Sequence, residues 1–338
     1  MTASAIGALP AGTAGQTQQG VIGAVTFDAN GLARRKLRDG SNAATGTFGV
    51  EWTPDRKTLL YGKYSRGYKA LGLFATQLPN AFSAFPYSKP EQMDNLEVGL
   101  KKDWTRRFQT NIVGFYDLYY NAQVPLSVQQ GSNPAFTLFY NVPRSILQGV
   151  ELESTWAATD HLTFLLTYAY LDAHVTKGCC VSDGNDPTAT QPGAQPAGTS
   201  SQGAIDSITG LPTRGQSLIG QQLPLSPKNK IAFNTTYTFN IGKWGDIIAS
   251  ASYLWRDEQY SSFFNRSYNL IPSRDQIDLR ATFRDAKNRF ELVGYARNIG
   301  NSVDYERQSG TRSTTGQIYT TYDLTDPRTY GVELRARF

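Results

Sequence analysis

Cysteine, histidine and methionine are nearly missing from this chain of 338 residues, with two of each. The cysteines are adjacent, Cys179 and Cys180, which excludes a disulfide framework and a four-cysteine zinc site. Two histidines are too few for an imidazole-based metal centre, so no metal is expected. Long apolar runs are missing as well. The longest mostly apolar stretch, 162–171, is half of the ~20 residues that a spanning helix needs. Residues 1–20 carry neither the basic start nor the apolar core of a secretory leader. Excess charge of one sign is scarce too. Lys and Arg number 33 against 28 Asp and Glu, and the basic residues are scattered, so no nucleic-acid partner is implied.

What the chain does have is aromatic residues, 12% of the total, which excludes a disordered tail. Tyr, Thr, Gly and Asn recur in short runs of alternating polarity, the vocabulary of β-structure. In 276–284 the odd positions are Ile277, Leu279, Ala281 and Phe283, and the even ones include Asp278, Arg280 and Arg284. Ile231, Phe233, Tyr237 and Phe239 alternate with polar residues in the same way, as do Leu96, Val98 and Leu100. The chain ends with Tyr330, Val332, Leu334, Ala336 and Phe338 against Glu333, Arg335 and Arg337. A helix would scatter these arginines around its circumference, whereas a strand places them on one side.

This periodicity predicts eleven strands, over 46–53, 57–69, 91–104, 107–122, 137–157, 161–175, 227–240, 246–258, 274–284, 289–301 and 328–338. The connections alternate strictly in length. Tight turns at 54–56, 105–106, 158–160, 241–245 and 285–288 face long loops at 70–90, 123–136, 176–226, 259–273 and 302–327. Soluble sandwiches have no reason to segregate loop length by end, whereas outer-membrane barrels pair short periplasmic turns with long extracellular loops. One strand face is large, apolar and aromatic, and the other gathers Arg, Glu, Asp, Asn and Thr. A polar interior inside an apolar band is the inverted pattern of a membrane barrel, and Trp52, Trp104, Trp156, Tyr168, Tyr170, Trp255 and Tyr330 fit interfacial girdles. The fold class expected is therefore all-β: an antiparallel transmembrane β-barrel, partial, of about eleven strands. The 51 residues of 176–226 suit an extracellular loop folded partly over the mouth.

Specific strings resemble one family. Tyr61-Gly-Lys-Tyr-Ser-Arg-Gly-Tyr-Lys-Ala70 and Asn95-Leu-Glu-Val-Gly-Leu-Lys-Lys-Asp-Trp104 are similar to strand segments of TonB-dependent outer-membrane receptors. So are Asn111-Ile-Val-Gly-Phe-Tyr-Asp117, Gln148-Gly-Val-Glu-Leu-Glu153 and Thr167-Tyr-Ala-Tyr-Leu-Asp-Ala173. Leu223-Pro-Leu-Ser-Pro-Lys-Asn-Lys230, Ala296-Arg-Asn-Ile-Gly-Asn301 and Asp326-Pro-Arg-Thr-Tyr-Gly-Val-Glu-Leu-Arg-Ala-Arg-Phe338 complete the series. Their order is that of the C-terminal half of such a barrel, and the resemblance covers 46–338.

That family closes ~22 strands around a plugged lumen. The resemblance implies a C-terminal barrel half, with no counterpart here of the plug, its TonB-contacting box or the first strands. It implies that 1–45 is a poorly ordered remnant of an upstream loop and strand, near 21–27, and that the chain begins at an internal methionine or a truncated reading frame. It further implies the outer membrane of a Gram-negative bacterium and active uptake of a scarce ligand, by default a ferric siderophore. Cobalamin, haem, oligosaccharides and aromatic compounds are the other ligands of the family. Implied partners are the TonB–ExbB–ExbD complex, through the plug of the intact receptor, and the barrel assembly machinery. No cofactor is implied.

Candidate site residues fall into three groups. Glu97, Asp117, Glu151, Glu153, Asp278, Arg280, Arg284, Glu291, Arg297, Glu333 and Arg335 are expected on the lumen wall, where a plug would rest. Phe74, Phe85, Tyr87, Phe136, Tyr260, Phe264, Arg266 and Tyr268 are loop candidates for ligand contact, since aromatic faces stack on chelate rings or sugars and arginine pairs with anions. Packing of loop tips on one another accounts for the same aromatics. Tyr330, Val332, Leu334, Ala336 and Phe338 look like the terminal-strand signal of barrel assembly.

Other readings have thinner support. Cys179–Cys180 is either a vicinal disulfide or a coincidence in a variable loop. Asp183-Gly-Asn-Asp186 resembles part of a calcium loop but lacks the remaining ligands. A barrel-embedded outer-membrane hydrolase would need a Ser–His pair at the rim, yet His161 and His174 stand at opposite ends of one strand, about 40 Å apart at ~3.3 Å per residue. Neither a G-x-S-x-G elbow nor a phosphate loop occurs, so no catalytic residue is expected. A soluble β-rich carbohydrate-binding protein is the third alternative.

Overall fold

The computed structural model describes residues 25–27, 33–35, 40–72, 88–128, 136–178, 204–205, 212–213, 217–312 and 318–337. All eleven expected strands form. They are β1 (Gly46–Asp55), β2 (Thr58–Lys69), β3 (Glu91–Thr105), β4 (Phe108–Val128), β5 (Phe136–Ala157), β6 (Leu162–Lys177), β7 (Asn229–Asn240), β8 (Gly245–Arg256), β9 (Arg274–Asp285), β10 (Phe290–Arg297) and β11 (Thr329–Ala336). They make one antiparallel sheet in which each strand pairs only with its neighbours in sequence, and β1 and β11 form the two free edges. The segment before β1 contributes a small hairpin, Val25–Phe27 against Ala33–Arg35.

Local chemistry explains the tight ends. At each short turn a side-chain oxygen accepts the backbone N–H two residues on. The pairs are Asp55 with Lys57, Thr105 with Arg107, Thr159 with His161, Asn240 with Gly242 and Asp285 with Lys287. Asp, Asn and Thr thus supply the acceptor that the departing backbone lacks. At Asp285 the N–H groups of Phe290, Lys287 and Arg289 hold the carboxyl below the usual carboxylate range.

The two faces differ as a membrane sheet requires. Val98 and Val332 are 64% and 78% exposed, whereas Asp117 and Glu291 are 7% and 6% exposed on the opposite face. Arg280 and Arg335 share the face of Glu291, while Leu279 and Leu334 occupy the other, exposed one. A water-soluble sheet would invert this arrangement, so the soluble-module alternative fails here. On β2 and β3 the apolar face carries Leu100, Val98 and Leu96 between two polar ends. These are Lys102 with Asp55 at 3.4 Å, and Arg66 with Asp94 at 2.5 Å. Lys102 to Asp94 spans about 27 Å along the strand at ~3.4 Å per residue. At ~40° tilt that is roughly 20 Å of thickness, close to the ~25 Å apolar band of outer-membrane barrels. Trp52, Trp104, Trp156, Phe239, Trp244 and Phe290 all stand exposed beside the short turns and form one girdle.

Four differences from the expected boundaries have physical causes. β4 continues beyond 122 to Val128, because Asn121 takes φ 54 and the pairing passes over it. Pairing resumes in the same register at Ala122 with Val142, and the β4–β5 hairpin extends well past the sheet. β10 stops at Arg297 instead of 301, because Asn298 and Asn301 adopt φ 49 and 53. β8 ends at Arg256, where the guanidinium binds the Asp257 and Pro272 carbonyls. The long loops also hold hairpins that alternation did not reveal, including Tyr305–Arg312 against Ile318–Leu324 and Gln259–Tyr260 against Leu270–Ile271. Strands outside the membrane band lack a greasy side, so Tyr305–Arg312 leaves no period-two signal.

Candidate functional site

The polar face carries charged clusters on its first and last strands, joined across β6, β7 and β8 mainly by Thr, Ser, Asn and Ala. On its first part Glu97 accepts the Tyr61 hydroxyl at 2.8 Å and pairs with Lys63 Nζ at 2.9 Å. Asp117 accepts Asn95 Nδ2 at 2.6 Å and Glu153 accepts Asn111 Nδ2 at 3.3 Å. Glu151 lies two positions from Glu153 along β5, on the same face. In the last part Glu291 gathers three arginines: Arg284 at 3.0 Å, Arg337 at 3.7 Å and Arg335 at 3.8 Å. Glu333 holds Arg335 at 2.6 Å, Arg297 stacks over Tyr295 at 5.2 Å, and Arg280 Nε donates to Thr282. Every lumen-wall candidate of the sequence therefore stands on this one face.

Glycines keep the wall smooth. Tyr61 lies over Gly99 and Tyr295 over Gly331, each across a strand pair, and a Cβ at either glycine would come within 2.2 Å of the ring. An aromatic covering a strand glycine shields backbone that would otherwise be bare.

The wall is covered at its long-loop end. Ala173 and Val175 of β6 pack with Val142 of β5 and with Ala122 and Val124 of β4. Leu218 and Leu223, from the segment before β7, and Phe263 and Phe264, from the β8–β9 loop, close the cluster. Leu223 N–H donates to Ala173 O, and Val175 N–H to Gln221 O. Asn265, at φ 46, ties the two loops by accepting Gln222 N–H at 2.6 Å and donating to Gln222 O at 3.0 Å. Within 176–226, the described stretch 217–226 thus folds inward over the mouth.

Of the loop candidates, Tyr260, Phe264, Arg266 and Tyr268 come together in the β8–β9 loop. Phe264 is 7% exposed inside the cluster, so its ring packs against protein. Tyr260 O accepts Leu225 N–H, and Tyr268 O accepts Gln308 Nε2 from the last long loop. Phe136 opens β5, paired with Val128. Phe74, Phe85 and Tyr87 lie outside the described residues, as do Cys179, Cys180, the 183–186 motif and Phe338. Tyr330, Val332, Leu334 and Ala336 form the exposed apolar row of the edge strand β11.

Sequence reasoning missed two features. Asn298, 4% exposed, donates from Nδ2 to Ser302 O and Asp326 O and accepts Ser302 N–H, while its own N–H reaches Asp278 at 2.8 Å. This knot closes the loop between β10 and β11, and the Asn-rich string 296–301 was the available signal. The other is Glu91, 6% exposed, which accepts Tyr119 Oη, Gln123 N–H and Lys69 Nζ at 2.6, 2.8 and 3.0 Å. Nothing in the sequence distinguishes it from a surface glutamate. His174 Nδ1 lies 3.0 Å from Asp172, and His161 sits in the turn at the other end of β6. Among the described residues no group of acidic, His or Cys side chains is arranged to hold a metal.

Comparisons with known proteins agree with this architecture. The family described as "TonB dependent receptor-like, beta-barrel" matches residues 16–299. Among curated proteins none matches the sequence significantly. The structure is similar to the ferric yersiniabactin uptake receptor FyuA from Yersinia pestis, with TM-score 0.64 and 14% identity, over 87% of this chain and 37% of that one. It is similar to the siderophore receptor PiuA from Acinetobacter baumannii, with TM-score 0.56 and 18% identity over 86% and 35%. The copper transporter OprC gives TM-score 0.59 and 16% identity over 87% and 39%. The chain thus spans little more than a third of each neighbour's length. These matches are to transport receptors, not enzymes, which removes the hydrolase alternative.

Proposed function

This chain belongs to the TonB-dependent receptor-like β-barrel family, and from that premise we propose that it serves in active uptake across the outer membrane, with a ferric siderophore as the ligand. The observation that carries the transport reading is the polarity of the sheet, whose apolar face is exposed while its charged face is paired and capped by its own loops. A wall of ion pairs suits an interior against which a plug must rest and later move, because a continuous apolar seam would hold it fast. TonB with ExbB and ExbD is the proposed energy source, acting through the plug of the intact receptor. The barrel assembly machinery is the proposed reader of β11.

The siderophore assignment draws on the mouth. Arg256 and Arg274 are directly opposed in register there, beside the loop carrying Tyr260, Arg266 and Tyr268. Arg256 donates to the Asp257 and Pro272 carbonyls and Arg274 faces Asp304 at 3.8 Å and Glu306 at 4.0 Å, acceptors that an anionic chelate would displace. FyuA is described as a ferric yersiniabactin uptake receptor, PiuA as a siderophore receptor and OprC as a copper transporter, so the decisive comparison is between ferric chelates and copper. The test is radiolabelled uptake by cells producing the intact receptor, offered a panel of ferric siderophores and ionic copper. TonB-dependent accumulation of iron from one siderophore, reduced by replacing Arg274, supports the reading. Accumulation of copper alone overturns the siderophore assignment, and uptake indifferent to TonB overturns the transport mechanism.

A further inference from the structure

The lipid-facing side carries a cation pair that uptake does not use. Along β5 the outward face reads Trp156, Ser154, Leu152, Val150, Gln148, Ile146 and Arg144, with Gln148 donating to Asp172 of β6 at 3.0 Å, while the intervening Ser145 and Leu147 belong to the wall side, Ser145 fully buried. Arg144 pairs across the sheet with Tyr120 on one side and, past a one-residue register shift that brings it opposite, with Lys177 on the other. Its guanidinium carbon stands 6.0 Å from the centre of the Tyr120 ring, which holds it against the outward surface.

Among the neighbouring groups on this face Arg66 pairs with Asp94, and Asp172 accepts Gln148 Nε2 and lies 3.0 Å from His174 Nδ1. Arg144 and Lys177 have no carboxylate within ion-pairing distance among the described residues, and the Arg144 Nε–H is buried without an acceptor. The same cross-strand row continues through Gln92 to Tyr68. The Tyr68 hydroxyl is likewise buried without a partner and borders a rim pocket of about 390 Å³, lined also by Arg66, Gln92 and Tyr120.

Height decides what meets this row. From the girdle residue Trp156 to Arg144 is twelve positions, about 31 Å toward the long loops at ~3.4 Å per residue and ~40° tilt. The apolar band is ~25 Å deep, so the pair stands a few ångströms above it, level with lipid headgroups. A cation at that height faces headgroup phosphates, and each Lys or Arg near an anionic surface contributes about 1 kcal/mol.

We propose that Arg144 and Lys177 form a binding site for the phosphate of a lipid headgroup in the leaflet at the long-loop end, with the Tyr120 ring as platform for the guanidinium. The inference rests on the membrane location of the sheet and not on the identity of the transported ligand.

The test uses the full chain in neutral-detergent micelles, titrated with a bis-phosphorylated glucosamine lipid and with the same lipid after phosphatase treatment. Native mass spectrometry reads occupancy at two salt concentrations. The phosphorylated lipid is expected to bind and to weaken with salt. R144Q/K177Q is expected to lower affinity about 30-fold, from two contacts of about 1 kcal/mol each, while K57Q at the opposite end of the sheet leaves it unchanged. K177Q alone removes an exposed side chain without touching packing, and a severalfold loss is expected from it. Inorganic phosphate competing as well as the lipid would mean a free-anion site and overturn the lipid assignment. Equal binding of the dephosphorylated lipid, or unchanged binding by R144Q/K177Q, would overturn the site itself while leaving the uptake reading intact.

Discussion

Tyr61 lies across Gly99, its ring filling the place of the side chain that Gly99 lacks, while its hydroxyl donates to Glu97 two residues away on the same strand. One tyrosine thereby shields bare backbone on the polar wall and fixes a carboxylate. We predict that Gly99→Ala destabilises the folded chain by roughly 1–3 kcal/mol, the usual cost of overpacking, because the new methyl overlaps the ring. Urea unfolding in micelles followed by tryptophan fluorescence measures it. An unchanged midpoint would mean that the ring moves aside freely, and the close fit would then have no energetic weight.

Val98 and Glu97 are neighbours on opposite faces, which makes the polarity of the sheet a mutational question. Val98→Arg is expected to cost about 2–4 kcal/mol if this face meets the bilayer midplane and to reduce assembly into lipid vesicles. On a water-exposed face the same change would be within about 0.5 kcal/mol. Efficient assembly of V98R in thin and thick bilayers alike would contradict the lipid-facing assignment.

Asp285 makes one turn pH-sensitive. Its folded carboxyl titrates below the ordinary value, chiefly through the Phe290 N–H and then those of Lys287 and Arg289. A depressed folded pKa contributes stability above the unfolded value of ~3.9. That contribution is lost as pH falls through the folded value. Asp285→Asn is therefore expected to flatten the acid limb of a stability–pH curve below about pH 4. Curves for the two proteins that stay parallel through that range would dismiss the turn as its source.

Glu291 collects three arginines while almost fully buried. Removing a buried partner costs ~3–5 kcal/mol. These arginines are partly solvated, so Glu291→Gln should cost roughly 2 kcal/mol and loosen β10 and β11 first. Hydrogen exchange resolved by strand would show it. Uniform protection across the sheet in E291Q would argue that the arginines find water equally good.

Phe264 anchors the mouth. Phe264→Ala should destabilise the β8–β9 loop and the 217–228 segment together, by about 3 kcal/mol, with little change in the sheet below. Proteolysis of intact cells or vesicles is the readout. Cleavage appearing in only one of the two segments would show that they are not a single cooperative unit.

Much of this arrangement was legible beforehand because membrane strands advertise themselves. Ile277, Leu279 and Phe283 against Asp278, Arg280 and Arg284 leave a period-two record, since each side chain meets either lipid or the polar wall. The strand ends were legible where Asp, Thr or Asn cap a turn. Legibility failed where those constraints lapse. Tyr305–Arg312 pairs outside the lipid band and needs no greasy face. Asn298 ends β10 through a left-handed backbone and four hydrogen bonds that no polarity pattern records. Phe264 has the same composition as an exposed ligand-binding aromatic, and only the meeting of two distant loops buries it.

Alternation and loop-length rhythm in the amino-acid order were enough to set strand number and which residues share a face, because those depend on near neighbours and on the solvent each face meets. Which charges share a partner, which loops close the mouth and which cations are left without a counter-ion emerged only in three dimensions. Glu291 meets Arg284 and Arg335 across strand pairs, Gln222 meets Asn265 across 43 positions, and Arg144 stands over the Tyr120 ring with no carboxylate in ion-pairing distance among the described residues. Such relations are set by register and curvature over the whole sheet, and no local stretch of sequence contains them.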